Sequence, residues 1–385
     1  NVCRPQARVG LTRALGQPVT AGEDAAIRLL PRPRLQLTDV RVLGDGNRTE
    51  DVLLAADTAT FDLRPQALAT GRIVVEAVEL DRPVIFLTRA EDRSVTFGAA
   101  PLFSGLSGQS ETPATLSMLN LSDGELIYVD EPLGQSLRLG IDDLQVERVD
   151  GYAFEAKGRV LAGQAPYDVD IAFVPTANPR GERGFDIDVR GEAGRRISLS
   201  GAIDDKFAAS LIVREDLGWK LRAEGFRHPL LGRIGLDDGP GIKVESRVLS
   251  DQEGYDLPGL TLSLANGQQI RGKARLSPSP EQNFLDLILS GNGITLATAA
   301  ADLPVRDWTA LLPGAVADLG GLGLRFDISA QDLSLPNGTG VERLTVAGAL
   351  TAADGLRLRS LRAKTDAAVS FDLDRLIVPG SDELE

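Results

Sequence analysis

Pro31-Arg32-Pro33-Arg34-Leu35-Gln36-Leu37-Thr38-Asp39-Val40-Arg41-Val42-Leu43 is the first part of the stretch whose reading decides the fold. A Gly44-Asp45-Gly46 turn follows, then Val52-Leu53-Leu54-Ala55-Ala56-Asp57-Thr58-Ala59-Thr60-Phe61-Asp62-Leu63. Beyond Arg64-Pro65 and Thr70-Gly71 comes Arg72-Ile73-Val74-Val75-Glu76-Ala77-Val78-Glu79-Leu80-Asp81-Arg82-Pro83-Val84-Ile85-Phe86-Leu87. Apolar residues alternate with polar ones at Leu35/Leu37, Val40/Val42, Val52/Leu54 and Val84/Phe86. A period of two puts every second side chain on one face of a sheet and leaves the other face to water. A one-residue bulge in any strand reverses its faces.

Working outward, the same design recurs along most of the chain. Upstream, Pro5–Leu15 has Ala7, Leu11, Ala14 and Leu15 at helical spacing and Gly16 as a C-cap, so a short amphipathic helix is expected. Downstream, Gly98–Pro113 is rich in Gly, Ser and Ala and reads as a linker or mobile loop. Ser122-Asp123-Gly124 reads as a hairpin turn, and Pro132-Leu133-Gly134 as a second. Short strands then follow one another at the spacing of an all-β architecture. Alternation is cleanest at Val169/Ile171/Phe173, Phe185/Ile187/Val189, Leu260/Leu262/Leu264 and Leu285/Leu287/Leu289. One inner helix is expected over Val305–Leu319, with Asp302 as its cap and Gly320-Gly321 after its end.

Composition narrows the function classes. At 385 residues and 43% hydrophobic content the chain is long enough for several domains and too apolar for disorder. Aromatic residues are only 5%, so Leu, Val, Ile and Ala carry the apolar load. A net charge of -14 argues against nucleic acid, whose phosphates call for clustered Lys and Arg, and against a basic patch on anionic lipid. A single cysteine, Cys3, excludes a disulfide framework and a Cys/His zinc site, and no cofactor is expected. No run of roughly 18 apolar residues is present to span a membrane as a helix. The abrupt start at Asn1 and the end at Glu385 read as a soluble fragment of something longer.

Catalytic patterns are weak. His228, the only histidine, sits in Arg227-His228-Pro229 with no nucleophile elbow nearby. Gly267–Ala274 has phosphate-loop spacing, but Ala274 stands where Ser or Thr must hold magnesium, and the segment reads as a turn entering a strand. The pairs Asp142-Asp143, Asp204-Asp205 and Asp237-Asp238 read as solvated turn residues rather than as the flanking carboxylates of a glycosidase. What remains is collective: many strands, each with one apolar face. Either two sheets bury those faces against each other, or one long curved sheet lines an open trough.

Several stretches resemble the AsmA family of bacterial envelope proteins. They are Gly16-Gln17-Pro18-Val19, Leu30 through Val42, Gly71 through Leu87, and Leu121-Ser122-Asp123-Gly124-Glu125-Leu126-Ile127-Tyr128-Val129-Asp130. Val341 through Leu350 and Gly355 through Asp366 resemble the family's carboxy-terminal repeats. The resemblance covers both ends and, in the middle, only strand rhythm. It implies an elongated, curved antiparallel β-sheet forming a groove, divided into an amino-terminal β domain (1–104) and a repeating groove region (105–385) with its helix near 305–319. It further implies a periplasmic protein held to the inner membrane by an upstream transmembrane helix that this chain lacks. Like chorein-type bridge proteins, which the family resembles, such a protein would conduct phospholipid between the inner and outer membranes. The expected lining is Leu35, Leu37, Leu54, Ile73, Val75, Leu137, Leu139, Val169, Ile171, Leu262 and Leu287. The alternative is a non-enzymatic scaffold or assembly factor for outer-membrane proteins, working through an exposed strand edge.

Overall fold

The alternating segments form strands throughout the computed structural model. It describes residues 18–22, 24–44, 52–69, 74–90, 95–97, 117–131, 135–150, 153–175, 183–203, 217–226, 241–251, 253–279, 282–295, 322–335, 338–351, 353–367 and 369–378. The expected helices over Pro5–Leu15 and Val305–Leu319 and the Gly98–Pro113 loop lie outside the described residues. Two compact units divide the chain, one covering Asn1–Glu192 and Ala202–Leu211, the other Ala193–Gly201 and Ile212–Glu385.

The first unit contains β1 (Val19–Thr20), β2 (Ala25–Arg28), β3 (Arg34–Leu43), β4 (Val52–Leu63) and a short helix α1 (Pro65–Ala69). It continues with β5 (Val75–Asp81), β6 (Val84–Arg89), β7 (Val95–Phe97), β8 (Met118–Asp130), β9 (Gln135–Asp150), β10 (Ala153–Ala162), β11 (Ala165–Pro175) and β12 (Arg183–Gly191). β1 and β2 both pair with β3, and β3 with β4. β4 pairs antiparallel with both β5 and β6, which follow one another along it. β5 and β6 then run parallel to β8, and an antiparallel meander leads on through β9, β10 and β11 to β12. The sheet is therefore mixed, not antiparallel throughout as expected.

The turn expected at Ser122-Asp123-Gly124 is absent, because β8 runs straight through it. Asp123 takes a left-handed backbone (φ 53) inside the strand, as do Asp39 (φ 46) in β3 and Arg82 (φ 48) between β5 and β6. Short polar Asp tolerates this conformation better than most residues. These residues stand level with one another. Thr38 pairs with Thr58 and Val40 with Ala56, which sets Asp39 opposite Asp57. Thr58 pairs with Asp81 and Ala55 with Val84, setting Asp57 against Arg82. Asp81 pairs with Ser122 and Val84 with Glu125, and Ser122 with Asp143 and Gly124 with Ile141, so the row continues through Asp123 to Asp142.

Each strand changes phase by one residue at that row, so the apolar set stays on one face from end to end. The buried residues switch from Leu35 and Leu37 to Val40 and Val42, from Leu54 and Ala56 to Ala59 and Phe61, and from Val78 and Leu80 to Ile85. The row ends at β10, which carries no extra residue, and the register shifts there between Arg159 and Val160. In β6 the buried residue is Ile85, so the face expected from Val84/Phe86 is reversed.

The second unit contains most of β13 (Arg196–Ile203), then β14 (Trp219–Phe226), β15 (Ile242–Ser250), β16 (Tyr255–Ser263), β17 (Gln269–Ser277) and β18 (Phe284–Asn292). After these come β19 (Gly323–Ser334), β20 (Gly340–Thr351), β21 (Gly355–Thr365), β22 (Ser370–Leu373) and β23 (Leu376–Val378). Neighbours pair antiparallel in sequence order, except that β18 and β19 are parallel and β22 and β23 both lie along β21. The phase device recurs: Asp332 (φ 50) faces Glu342, and the inward residues switch from Ala330 to Leu333 and from the partly buried Leu344 to Val341.

Candidate functional site

The apolar face of each unit is the candidate site, and strand pairing fixes which side chains share it. In the first unit, Leu144, Gly158, Val169 and Val189 form one row across β9–β12; Val146, Ala156, Ile171 and Ile187 form the next. Phe154 and Phe173 close that end of the face, stacked with ring centroids 5.0 Å apart. The opposite face is ionic. Lys157 Nζ donates to Glu155 at 2.9 Å, Arg159 Nε to Asp168 at 3.2 Å, and Arg190 to Asp188 at 2.6 Å. The carboxylates of Glu155, Asp170 and Asp168 hold Lys157 and Arg159 above their ordinary values, the neighbouring hydrogen bond being the largest cause in each case. Polar and apolar side chains are thus sorted cleanly to the two sides of one sheet.

Closure of the apolar face differs along the chain. Of the expected lining, Leu35, Leu37 and Leu54 are sealed at 2%, 3% and 1% exposure, within a core that also buries Phe61, Val78 and Leu119. A fully buried side chain of this kind contributes about 1.5–3 kcal/mol, so these positions are structural core. Val169 is also buried, while Val75 and Ile171 are partly buried against the same core. Leu139 is half-buried; Leu137, paired with Tyr128 at one end of the face, is 56% exposed. Ile73 lies outside the described residues.

In the second unit, Leu262 and Leu287 are partly buried beside a narrow spine of Leu260, Ala274 and Leu289. Register carries that face onward, from Leu285, Leu287 and Leu289 to Leu324, Phe326 and Ile328, then to Leu350, Gly348 and Val346, then to Leu356, Leu358 and Leu361. Sequence reading missed Phe326 and Val346, which lie in line with the predicted rows; pairing order was the signal needed to find them. The other side of this unit holds a depression of about 580 Å³ whose lining mixes Arg325, Asp327, Arg357 and Arg375 with the exposed Ile288 and Ile377. There Arg325 sits 3.8 Å over the Phe284 ring and 3.4 Å from Asp286.

The catalytic patterns gain no geometric support. Gly267 occupies a turn that enters β17, the hairpin expected of it. Asp142 and Asp143 are exposed strand residues in the phase-shift row, not members of a turn. His228, Asp204-Asp205, Asp237-Asp238 and Cys3 lie outside the described residues. Among the described residues, no group of three or more His, Cys, Asp or Glu is arranged to hold a metal ion, and no helix is long and apolar enough to cross a membrane. Comparison with protein-family models, with curated proteins and with solved structures finds no match to this chain.

Proposed function

We propose that this chain binds phospholipid along its apolar sheet face and conducts it through the periplasm between the inner and outer membranes. One observation carries the reading: in the second unit the apolar face continues across six strands, β16–β21, through bulges in β16 and β21, and most of its large side chains are only half-buried. Contiguous accessible apolar surface of this kind marks a binding site more often than a packing defect. Each acyl CH₂ withdrawn from water gains about 0.8 kcal/mol, so a length of aliphatic sheet holds a tail without any polar hook. Lacking such hooks, the lining Leu262, Leu287, Phe326 and Ile328 discriminates little between headgroups and holds no single position tightly, as a conduit requires. An elongated, curved trough and attachment to the inner membrane belong to this proposal.

Native mass spectrometry of the purified chain, with lipid extraction, tests it. Phospholipid is expected to co-purify and to be lost from a Leu287→Asp, Phe326→Asp variant that keeps its β circular dichroism. A lipid-free chain would sink the reading. The scaffold reading has its own support in β22 and β23, which among the described residues pair only with β21 and expose Phe371 and Leu376. A client crosslinked along those strands, without lipid, would favour it.

A further inference from the structure

We infer that the turn joining β2 to β3 is a membrane-contact tip that inserts into the surface of an anionic phospholipid bilayer. Leu30 (86%) and Leu29 (66%) are the most exposed large apolar side chains among the described residues, and Ile27 beside them is 49% exposed. Exposed aliphatics at adjacent positions are costly in water, yet the turn is firmly based. β2 pairs with β3 from Ala25–Leu37 to Arg28–Arg34, and Leu63 N donates to Pro33 O at 2.9 Å. The leucines are therefore presented outward by ordered strands.

Charge identifies the occupant. Arg28 and Arg32 flank the leucines and are both exposed, and neither makes an ion pair with a described residue, whereas Arg34 at the strand base is taken by Asp62 at 2.7 Å. Aliphatic side chains in the turn with an exposed arginine on either side suit a bilayer surface, where acyl chains meet anionic headgroups. The net charge of -14 argues against a broad basic surface on anionic lipid, but not against a contact confined to one turn. Screening confines the field to about 8–10 Å at moderate salt, so the two local arginines dominate at the point of contact. A protein partner would more often meet an aromatic anchor, and this turn carries only aliphatic apolar side chains. The inference does not rest on lipid passage along the sheet face.

The test uses the full chain with Cys3→Ser and Leu30→Cys, its single introduced thiol labelled with an environment-sensitive fluorophore. With phosphatidylglycerol-containing vesicles the emission is expected to shift to the blue and to be quenched by a nitroxide carried on the lipid chain. In vesicle flotation, Leu29→Ser with Leu30→Ser is expected to weaken binding at least about tenfold. Each of Arg28→Glu and Arg32→Glu should weaken it about fivefold or more, and the effect should fade with salt. A label that stays aqueous, or flotation unchanged in both sets of variants, overturns the inference. So does concentration-dependent dimerisation abolished by the leucine variants, which would make a second copy the occupant. Lipid captured in solution by a chain that no longer floats would leave the sheet-face reading standing and separate the two proposals.

Discussion

Arg82 donates from Nε to Asp57 Oδ2 at 2.7 Å, bridging two neighbouring strands at the level where both change phase. The Asp57 hydrogen bond, reinforced by Asp81, holds the Arg82 guanidinium above its ordinary value. The pair is exposed, so solvent screens it, and the phase change itself resides in the backbone. That backbone conformation, rather than the ion pair, keeps Leu35, Leu37, Val40 and Val42 on one side of β3. Arg82→Gln is accordingly expected to leave the urea midpoint nearly unchanged.

Asp123 gives the sharper test of the same idea. A β-branched residue is poorly suited to φ 53, so Asp123→Val is expected to cost about 1–2 kcal/mol. Asp123→Gly, free of that strain, is expected to be neutral or slightly stabilising. Urea denaturation of both variants checks this. Equal midpoints for Val and Gly would mean that the left-handed conformation does not constrain β8.

Gly124, the next residue, lies against Pro83 of the neighbouring strand. A Cβ there would stand 2.6 Å from both Pro83 Cγ and the Pro83 carbonyl oxygen, and Pro83 is among the most fully buried side chains. Gly124→Ala is expected to destabilise by about 1–3 kcal/mol through overpacking. Pro83→Ala should recover only part of that loss, because the backbone contact remains. A double-mutant cycle measures the coupling, and independent effects would contradict the contact.

The phase-shift row also explains what was legible in the sequence. Strands such as Arg34–Leu43 and Arg196–Ile203 could be bounded to the residue, because alternation and flanking turn residues agree. Ser122-Asp123-Gly124 and Asp142-Asp143 misled because the residues that favour hairpin turns also favour bulges, both of which need left-handed or kinked backbone. Val84-Ile85-Phe86 is apolar at every position, so period alone does not choose its face. The lining was harder still. Leu35 and Leu287 look alike in sequence, yet one is sealed and the other half-open, since burial depends on what covers a face and alternation does not encode that.

Asp130 is 3% exposed at the end of β8, where it accepts from Arg89 Nη1 at 3.1 Å and from the Tyr128 hydroxyl at 2.8 Å. A carboxylate this deep depends on its cation, and removing one partner of a buried pair typically costs about 3–5 kcal/mol. Arg89→Met is expected to fall in that range, with Arg89→Met plus Asp130→Asn recovering much of it. Thermal melts of the three chains decide the matter. An Arg89→Met melt like that of the parent would show the carboxylate to be satisfied without Arg89.

Asp251, at the turn from β15 to β16, supplies a prediction in pH. Burial, the largest single influence, works to raise its pKa. The Glu253 and Gly254 amides at 2.8 and 2.9 Å and the Arg275 guanidinium at 3.0 Å outweigh it, and the net shift is downward. A depressed carboxylate contributes stability that is fully present above its unfolded value near 3.8 and is lost as the pH falls through the lower folded value. Arg275 is raised, first by Asp251 and then by Asp256, and so keeps its charge over the whole working range. Asp251→Asn retains an oxygen for both amides and removes only the charge. It is therefore expected to lower the stability measured in urea at neutral pH by about 1 kcal/mol or less, since the Asp251 side chain is half-exposed and solvent screens the pair. The gap between variant and parent should close as the pH falls below 3.8. A gap that persists unchanged in acid would assign the effect to packing of the turn instead of to the ion pair.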